Sequence, residues 1–366
     1  QQMRNHYANK DFVVLYRTNA QSRAFEESLR RQGIAYRIYG GLSFYQRKEI
    51  KDLLAYLRVI VNQKDEEALK RIINYPARGI GKTTIEKAIT FANEQNIALY
   101  NVLERAGEFG FKAGTLESLQ NFITMIRYFQ SLLTNKNAYD VAVQVGKHTT
   151  LVKELFNDKT TEGLARYENI QELLNSIKEW TESPDNEEGE LVDKSLGSYL
   201  QQITLLTDAD DEKGETDTVK MMTIHAAKGL EFDCVFVAGL EETLFPNAFA
   251  VNTREELEEE RRLFYVAITR AKEKLWLTYA NARYRFGQLV QNEPSRFIEE
   301  MPDEFIDKSY AGGGAKNQGY SNLGSAFDRL HRGFGYNDAA RAEKQYGPPQ
   351  NKKSEQNNRP GYMPPQ

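Results

Sequence analysis

Cysteine is almost absent from this 366-residue chain, where Cys234 stands alone. One thiol cannot close an intramolecular disulfide, and with only four histidines, His6 and His148 among them without ligand-spaced partners, it cannot build a zinc cluster. Its place inside an apolar run marks a core residue in a protein of a reducing compartment, with the cytoplasm as the expectation. Long apolar runs are missing as well. None approaches the roughly 20 residues that cross a bilayer, and no signal-peptide pattern opens the chain, so no membrane partner is expected. Excess positive charge is the third absence. The formal net charge is −4, so a nucleic-acid partner would have to be met by a local cationic surface.

What is present is an alternation of two textures. Continuous apolar and β-branched runs occur near both ends, in DFVVLYR, AYRIYG, TVKMMTI, DCVFVAGL and EKLWLTYA, as strands buried on both faces of a parallel sheet require. Helical patterns separate them, at Gln21–Gln32 and Thr253–Ala271, which predicts βαβ units. Residues 1–46 and 211–302 are therefore expected to form one α/β parallel-sheet domain. From 47 to 210 apolar residues recur at helical spacing, as in Ile50, Leu53, Leu54 and Leu57, and predict a large all-helical insertion that ends in an acidic loop at Glu182–Glu190. Residues 303–366 turn rich in Gly, Asn, Gln and Pro and read as a disordered tail or linker. The first strand follows only a short polar stretch, which points to a fragment of a longer chain.

Two segments carry chemistry. In DTVKMMTIHAAKGLEFDCVF, Asp217–Phe236, a strand gives way to a polar stretch and then to a second strand, so His225, Lys228 and Glu231 are expected at a sheet edge, where open α/β sheets bind ligands. Each taken singly also reads as a solvated loop residue. In TREELEEERRLFYVAITRAKEKLWLT, Thr253 and Glu256 form a capping box and the acid run Glu255–Glu260 suits a solvated helix start. The helix ends at Thr269 and Arg270, near that same sheet edge. An arginine there can also simply cap the last carbonyls. A third segment, NYPARGIGKTT, imitates a phosphate-binding loop, but the Walker A pattern needs glycine where Pro76 stands and a strand where a helix is predicted.

The strings TIHAAKGLEFDCVF and RRLFYVAITRA closely resemble motifs V and VI of superfamily 1 DNA helicases of the UvrD, Rep and PcrA kind. VVLYRTNAQSRAFEESL, YGGLSFYQRKEIKDLLAYLR and EPSRFIEEMP extend the resemblance in the family's order over about 300 residues. It implies the second RecA-like motor domain of a P-loop NTPase type helicase, with a duplex-contacting helical insertion. It further implies ATP and Mg²⁺ as cofactors, held mainly by an N-terminal half that carries Walker A and B, and 3′ to 5′ movement on single-stranded DNA with unwinding of duplex.

By the same resemblance Glu231 binds the nucleotide ribose and Arg270 is an arginine finger. Thr223, His225 and Lys228 contact phosphates of the tracking strand, Arg17, Asn19 and Arg23 serve that strand, and Phe286 stacks on a base. Gly79, Ile80, Gly81, Lys82 and Thr83 form a glycine-isoleucine-glycine element that approaches a duplex phosphate. For Phe286 an aromatic sealing the core edge, and for the glycine element a plain interhelical turn, stay open, as do structural caps for Arg17, Asn19 and Arg23. No metal site is expected in this chain. The competing readings are a non-catalytic DNA-binding scaffold, against which intact Glu231 and Arg270 weigh, and a helicase-nuclease relative, whose acid and lysine cluster is not seen.

Overall fold

A computed structural model describes residues 6–184, 193–208, 217–248 and 250–308. Within them β1 (Phe12–Tyr16), β2 (Tyr36–Ile38), β3 (Val219–Thr223), β4 (Phe232–Ala238) and β5 (Ala271–Thr278) form one sheet in the order β2-β3-β1-β4-β5, parallel throughout. This is an α/β sheet of the RecA-like type. β1 lies at its centre and is buried along its whole length, which explains the unbroken apolar run of its sequence.

The two-residue period of a strand sorts the side chains onto two faces. Val13, Leu15, Met222, Val235 and Val237 point to one core, which α11 (Arg254–Ile268) and α12 (Arg296–Glu299) cover with Phe264, Ala267 and Phe297. Phe12, Val14, Tyr16, Met221 and Cys234 point to the other, against Phe25 and Leu29 of α1 (Ser22–Arg31). Cys234 is thus a buried core thiol. Phe232 and Cys234 fall on opposite cores although two residues apart, because a register irregularity between them shifts the alternation at the start of β4.

Between β2 and β3 the described chain is helical: α2 (Lys48–Val61), α3 (Glu66–Ile72), α4 (Lys82–Gln95), α5 (Leu99–Glu104), α6 (Ala113–Leu132), α7 (Ala138–His148), α8 (Leu151–Asn157), α9 (Thr161–Glu182) and α10 (Leu196–Asp208). Ten of the fourteen residues of α2 are buried, so it is the central rod of this block. Side-chain caps start several of the helices: Asp65 accepts from Ala68 N, Asn137 from Asp140 N and Thr160 from Gly163 N. The sheet and the helical block lie in one compact unit.

Two arginines bolt α9 to the sheet domain. Arg47 is buried and donates to Asn19 O, Asn169 Oδ1, Ser22 Oγ and Leu42 O, while Asn169 Nδ2 donates to Glu49. Arg23, also buried, pairs with Glu27 on its own helix and with Glu172 and Glu179 on α9. After β5 the chain forms a hairpin of β6 (Ala282–Arg285) and β7 (Gln288–Gln291). Of the tail expected from 303 onward, Asp303–Phe305 form a single 3-10 turn and residues 309–366 lie outside the described residues, as do 185–190 of the acidic loop. No described helix is long and apolar enough to cross a membrane.

Candidate nucleotide and nucleic-acid sites

The register fixes where each predicted residue stands. Tyr16 pairs with Thr223 and with Ala238, so Arg17, Thr223 and His225 lie at the carboxyl edge of the sheet. Phe232 and Ala271 are paired at the starts of β4 and β5, so Glu231 and Arg270 lie at the amino edge. The expectation that His225, Lys228, Glu231 and Arg270 share one edge is therefore corrected. Because β3 and β4 are parallel, Ile224–Glu231 must return along the sheet, and its two ends are separated by roughly 20 Å, the length of a seven-residue strand.

That connection is anchored by its own apolar residues. Ile224 and Ala227 are buried, Ala227 N donates to Thr223 O, and Ala226 N donates to Thr223 Oγ1. His225, Lys228 and Glu231 are left exposed; Lys228 N donates to His225 O, and the three side chains make no hydrogen bond among the described residues. Gly229 has φ +84°, which lets the chain turn before Glu231.

At the amino edge Arg270 stands beside that acid. Its Nε donates to Val266 O (2.9 Å), Nη1 to Leu230 O (2.8 Å) and Nη2 to Thr269 Oγ1 (2.9 Å). The helix-capping interaction with Val266 is real, and the bond to Leu230 brings the guanidinium next to the residue that precedes Glu231. Three of the five N–H groups are so engaged, leaving two. Tyr265 and Leu230 are exposed around it, at 66% and 46%. Among the described residues no group of His, Cys, Asp and Glu could hold a metal ion.

At the carboxyl edge Arg17 makes a two-pronged ion pair with Glu260 of α11, Nε to both carboxylate oxygens (3.0 and 3.1 Å) and Nη2 to Oε1 (2.7 Å). Glu260 is 5% exposed and also accepts from Asn247 N at 3.1 Å. Sequence reasoning missed it by reading the whole acid run as solvated. The signal was there: Glu260, Phe264 and Ala267 recur at i, i+4 and i+7 and share the buried face of α11. Thr253 caps the helix through Glu256 N, but its hydroxyl also reaches the Glu256 carboxylate, so the box closes side chain to side chain.

Other charges gather around Arg17. Burial pushes the carboxyl of Glu168, on α9, up to about 7 against the pull of Arg17. Partial burial, and then Arg17, hold the His225 imidazole below its ordinary value. Asn19 has an exposed side chain and accepts from Arg47 through its carbonyl. Arg23 is different: burial opposes its charge, Glu172 and Glu27 more than offset that, and the guanidinium is committed within the fold.

Phe286 and Gly287 are the two loop residues of the β6–β7 hairpin, with φ +51° and +76°, the pattern of a type I′ turn. An aromatic residue in left-handed backbone is strained, and Phe286 is held there by its neighbour. Gly287 N donates to Asn175 Oδ1 of α9 at 3.4 Å, and a Cβ on Gly287 would fall 2.0 Å from Tyr139 Oη of α7.

The NYPARGIGKTT segment follows α3, so it lacks the strand of a Walker A loop. Asn74 Oδ1 accepts from Arg78 N and Ile80 N, Ile80 is fully buried, and Gly79 takes φ +74°. Gly81 then caps α4 with open space around it, and Lys82 and Thr83 follow exposed in the first helical turn.

The UvrD-like helicase C-terminal domain model matches residues 1–282. The chain belongs to that family. ATP-dependent DNA helicase PcrA of Staphylococcus aureus (strain Mu50) is 39% identical over 314 residues, covering 84% of this chain and 42% of the helicase. PcrA of Bacillus subtilis (strain 168) is 39% identical over 303 residues, covering 81% and 40%, and that of Staphylococcus epidermidis 40% identical over 302 residues, with the same coverage. This UvrD-like chain thus spans about two fifths of the length of the relatives it matches.

Proposed function

We propose that this UvrD-like chain is the second motor half of an ATP-dependent DNA helicase, translocating 3′ to 5′ on single-stranded DNA and unwinding duplex once joined to an N-terminal motor half. The observation that carries the reading is the layout of the two sheet edges. Glu231 and Arg270 share the amino edge, Arg17, Thr223 and His225 the carboxyl edge, and Ile224–Glu231 and α11 run between them.

In this reading the uncommitted carboxylate of Glu231 accepts from the ribose hydroxyls. The two free N–H groups of Arg270 meet the charge that develops on the γ-phosphoryl oxygens, the role for which a planar, permanently charged fork is suited. Magnesium and most of the triphosphate belong to the partner half, since NYPARGIGKTT has Pro76 where a Walker A loop needs glycine and follows a helix where it needs a strand. Bound ATP supplies the phosphoanhydride whose cleavage drives the cycle.

Arg17, Asn19, Thr223, His225 and Lys228 grip phosphates of the tracking strand, and Phe286 offers a ring for a base. Stacking of that kind contributes about 1–3 kcal/mol per base without regard to sequence. Within Gly79–Thr83, the exposed residues Gly81, Lys82 and Thr83 at the N-terminus of α4 offer backbone amides to a duplex phosphate, while Gly79 and Ile80 shape the turn before them. Contacts confined to these few residues agree with an acidic overall balance, because they are local.

The test is strand displacement by this chain joined to a PcrA-type N-terminal half, with ATP and Mg²⁺, on duplexes bearing a 3′ or a 5′ single-stranded tail. Displacement confined to the 3′-tailed substrate is expected. Displacement only from the 5′ tail would overturn the polarity, and DNA binding without displacement from either would favour a non-catalytic scaffold.

A further inference from the structure

One of the three acceptors that hold the Arg270 guanidinium is a side chain. Thr269 Oγ1 lies 2.9 Å from Arg270 Nη2, 2.9 Å from Tyr265 O and 3.0 Å from Val266 O. A threonine hydroxyl has one proton to give and lone pairs to accept with. Carbonyl oxygens only accept and a guanidinium only donates, so the direction of every bond is dictated. Thr269 donates toward the last carbonyls of α11 and accepts from Arg270.

The consequence is geometric. Val266 O takes the Nε proton and Leu230 O takes one from Nη1, which locates the near side of the group. The third bond, at Nη2, adds a further restraint on its plane and leaves one N–H on each terminal nitrogen. An arginine that only caps a helix end has no use for this third partner, since its charge already lies against Val266 O. Preorganisation of a charged donor is where a single neutral hydroxyl has leverage, because the reorientation cost is removed before charge develops.

We propose that Thr269 is a positioning residue for Arg270, holding its guanidinium in the plane that presents the two uncommitted N–H groups to phosphoryl oxygens. The proposal rests on the reading of Arg270 given above. Thr269 touches no substrate and acts only through its neighbour.

The experiment measures kcat and KM for ATP at saturating single-stranded DNA in the complete motor, this chain joined to its N-terminal half. The variants are Thr269→Val, Thr269→Ser, Arg270→Lys and the Thr269→Val/Arg270→Lys pair. Valine keeps the shape of threonine and loses the oxygen. Expected is a fall in kcat of about tenfold in Thr269→Val, the size of one hydrogen bond to a charged group, with KM nearly unchanged and kcat restored by Thr269→Ser. In the Arg270→Lys background the valine should cost less than about twofold, since the group it orients is gone.

An equal loss in both backgrounds, a matching rise in KM, or full activity in Thr269→Val would overturn the proposal. If Arg270→Lys is itself as active as the parent, the reading of Arg270 fails instead, and the two failures are told apart. Should Thr269→Val not fold, Thr269→Ala removes the same acceptor without a branched side chain and is read in the same way.

Discussion

Replacing Arg23 by methionine separates a nucleic-acid contact from an internal strut. The side chain is 9% exposed and its guanidinium pairs with Glu27 at 2.9 Å, Glu172 at 2.7 Å and Glu179 at 3.4 Å. Methionine keeps the aliphatic stem and removes the charge, leaving those carboxylates without their cation. Taking away one partner of a fully buried pair costs about 3–5 kcal/mol. Glu179 is 61% exposed and contributes nothing, and Glu172, at 26%, rehydrates in part, which brings the expectation to about 2–3 kcal/mol. In a unit of some 300 residues that corresponds to a Tm lowered by about 5 °C. Calorimetry supplies the Tm, and titration of a fluorescent oligothymidine over a range of salt supplies the DNA term. The slope of log K against log salt should stay unchanged. An unaltered Tm with a slope smaller by about 0.7 would make Arg23 a phosphate contact and refute the reasoning.

Phe286→Gly relieves the left-handed strain at the hairpin, worth about 1 kcal/mol, so its Tm should hold or rise while single-stranded DNA affinity falls by about tenfold with the lost stacking. A lower Tm with unchanged affinity would make Phe286 a packing residue. The His225 imidazole should titrate with a midpoint below 6.5 by NMR, and Arg17→Met should raise that midpoint. Since the fold favours the neutral ring, His225 takes stability away as pH falls from 6.5 toward its folded value and has no effect at pH 8. A midpoint at or above 6.5 would remove Arg17 from the surroundings assigned to it.

The fold was legible where the physics is local. Unbroken runs such as DFVVLYR suit doubly buried strands, and β1 at the sheet centre is one. Helical spacing between β2 and β3 told of helices for the same reason, and α2 to α10 stand there among the described residues. What the chain does at long range was less so. Nothing in the order of residues says that β3 and β4 flank β1, and without that the opposite edges of Thr223 and Glu231 stay hidden. Arg23 and Arg17 look alike in VVLYRTNAQSRAF, yet one meets Glu172 on α9 and the other Glu260 on α11, 149 and 243 positions away. The two glycines of RGIG differ similarly: Gly79 is required by its φ of +74°, while Gly81 caps α4 in extended backbone.

The most direct measurement of the central claim is DNA-stimulated ATP hydrolysis by this chain alone, by its mixture with an N-terminal motor half, and by that mixture carrying Arg270→Ala. The account predicts no hydrolysis by the chain alone, hydrolysis by the mixture, and a loss of at least a hundredfold in the variant, below the roughly 10³–10⁵ that arginine fingers can supply. Hydrolysis by the chain alone, or a mixture indifferent to Arg270, would contradict it.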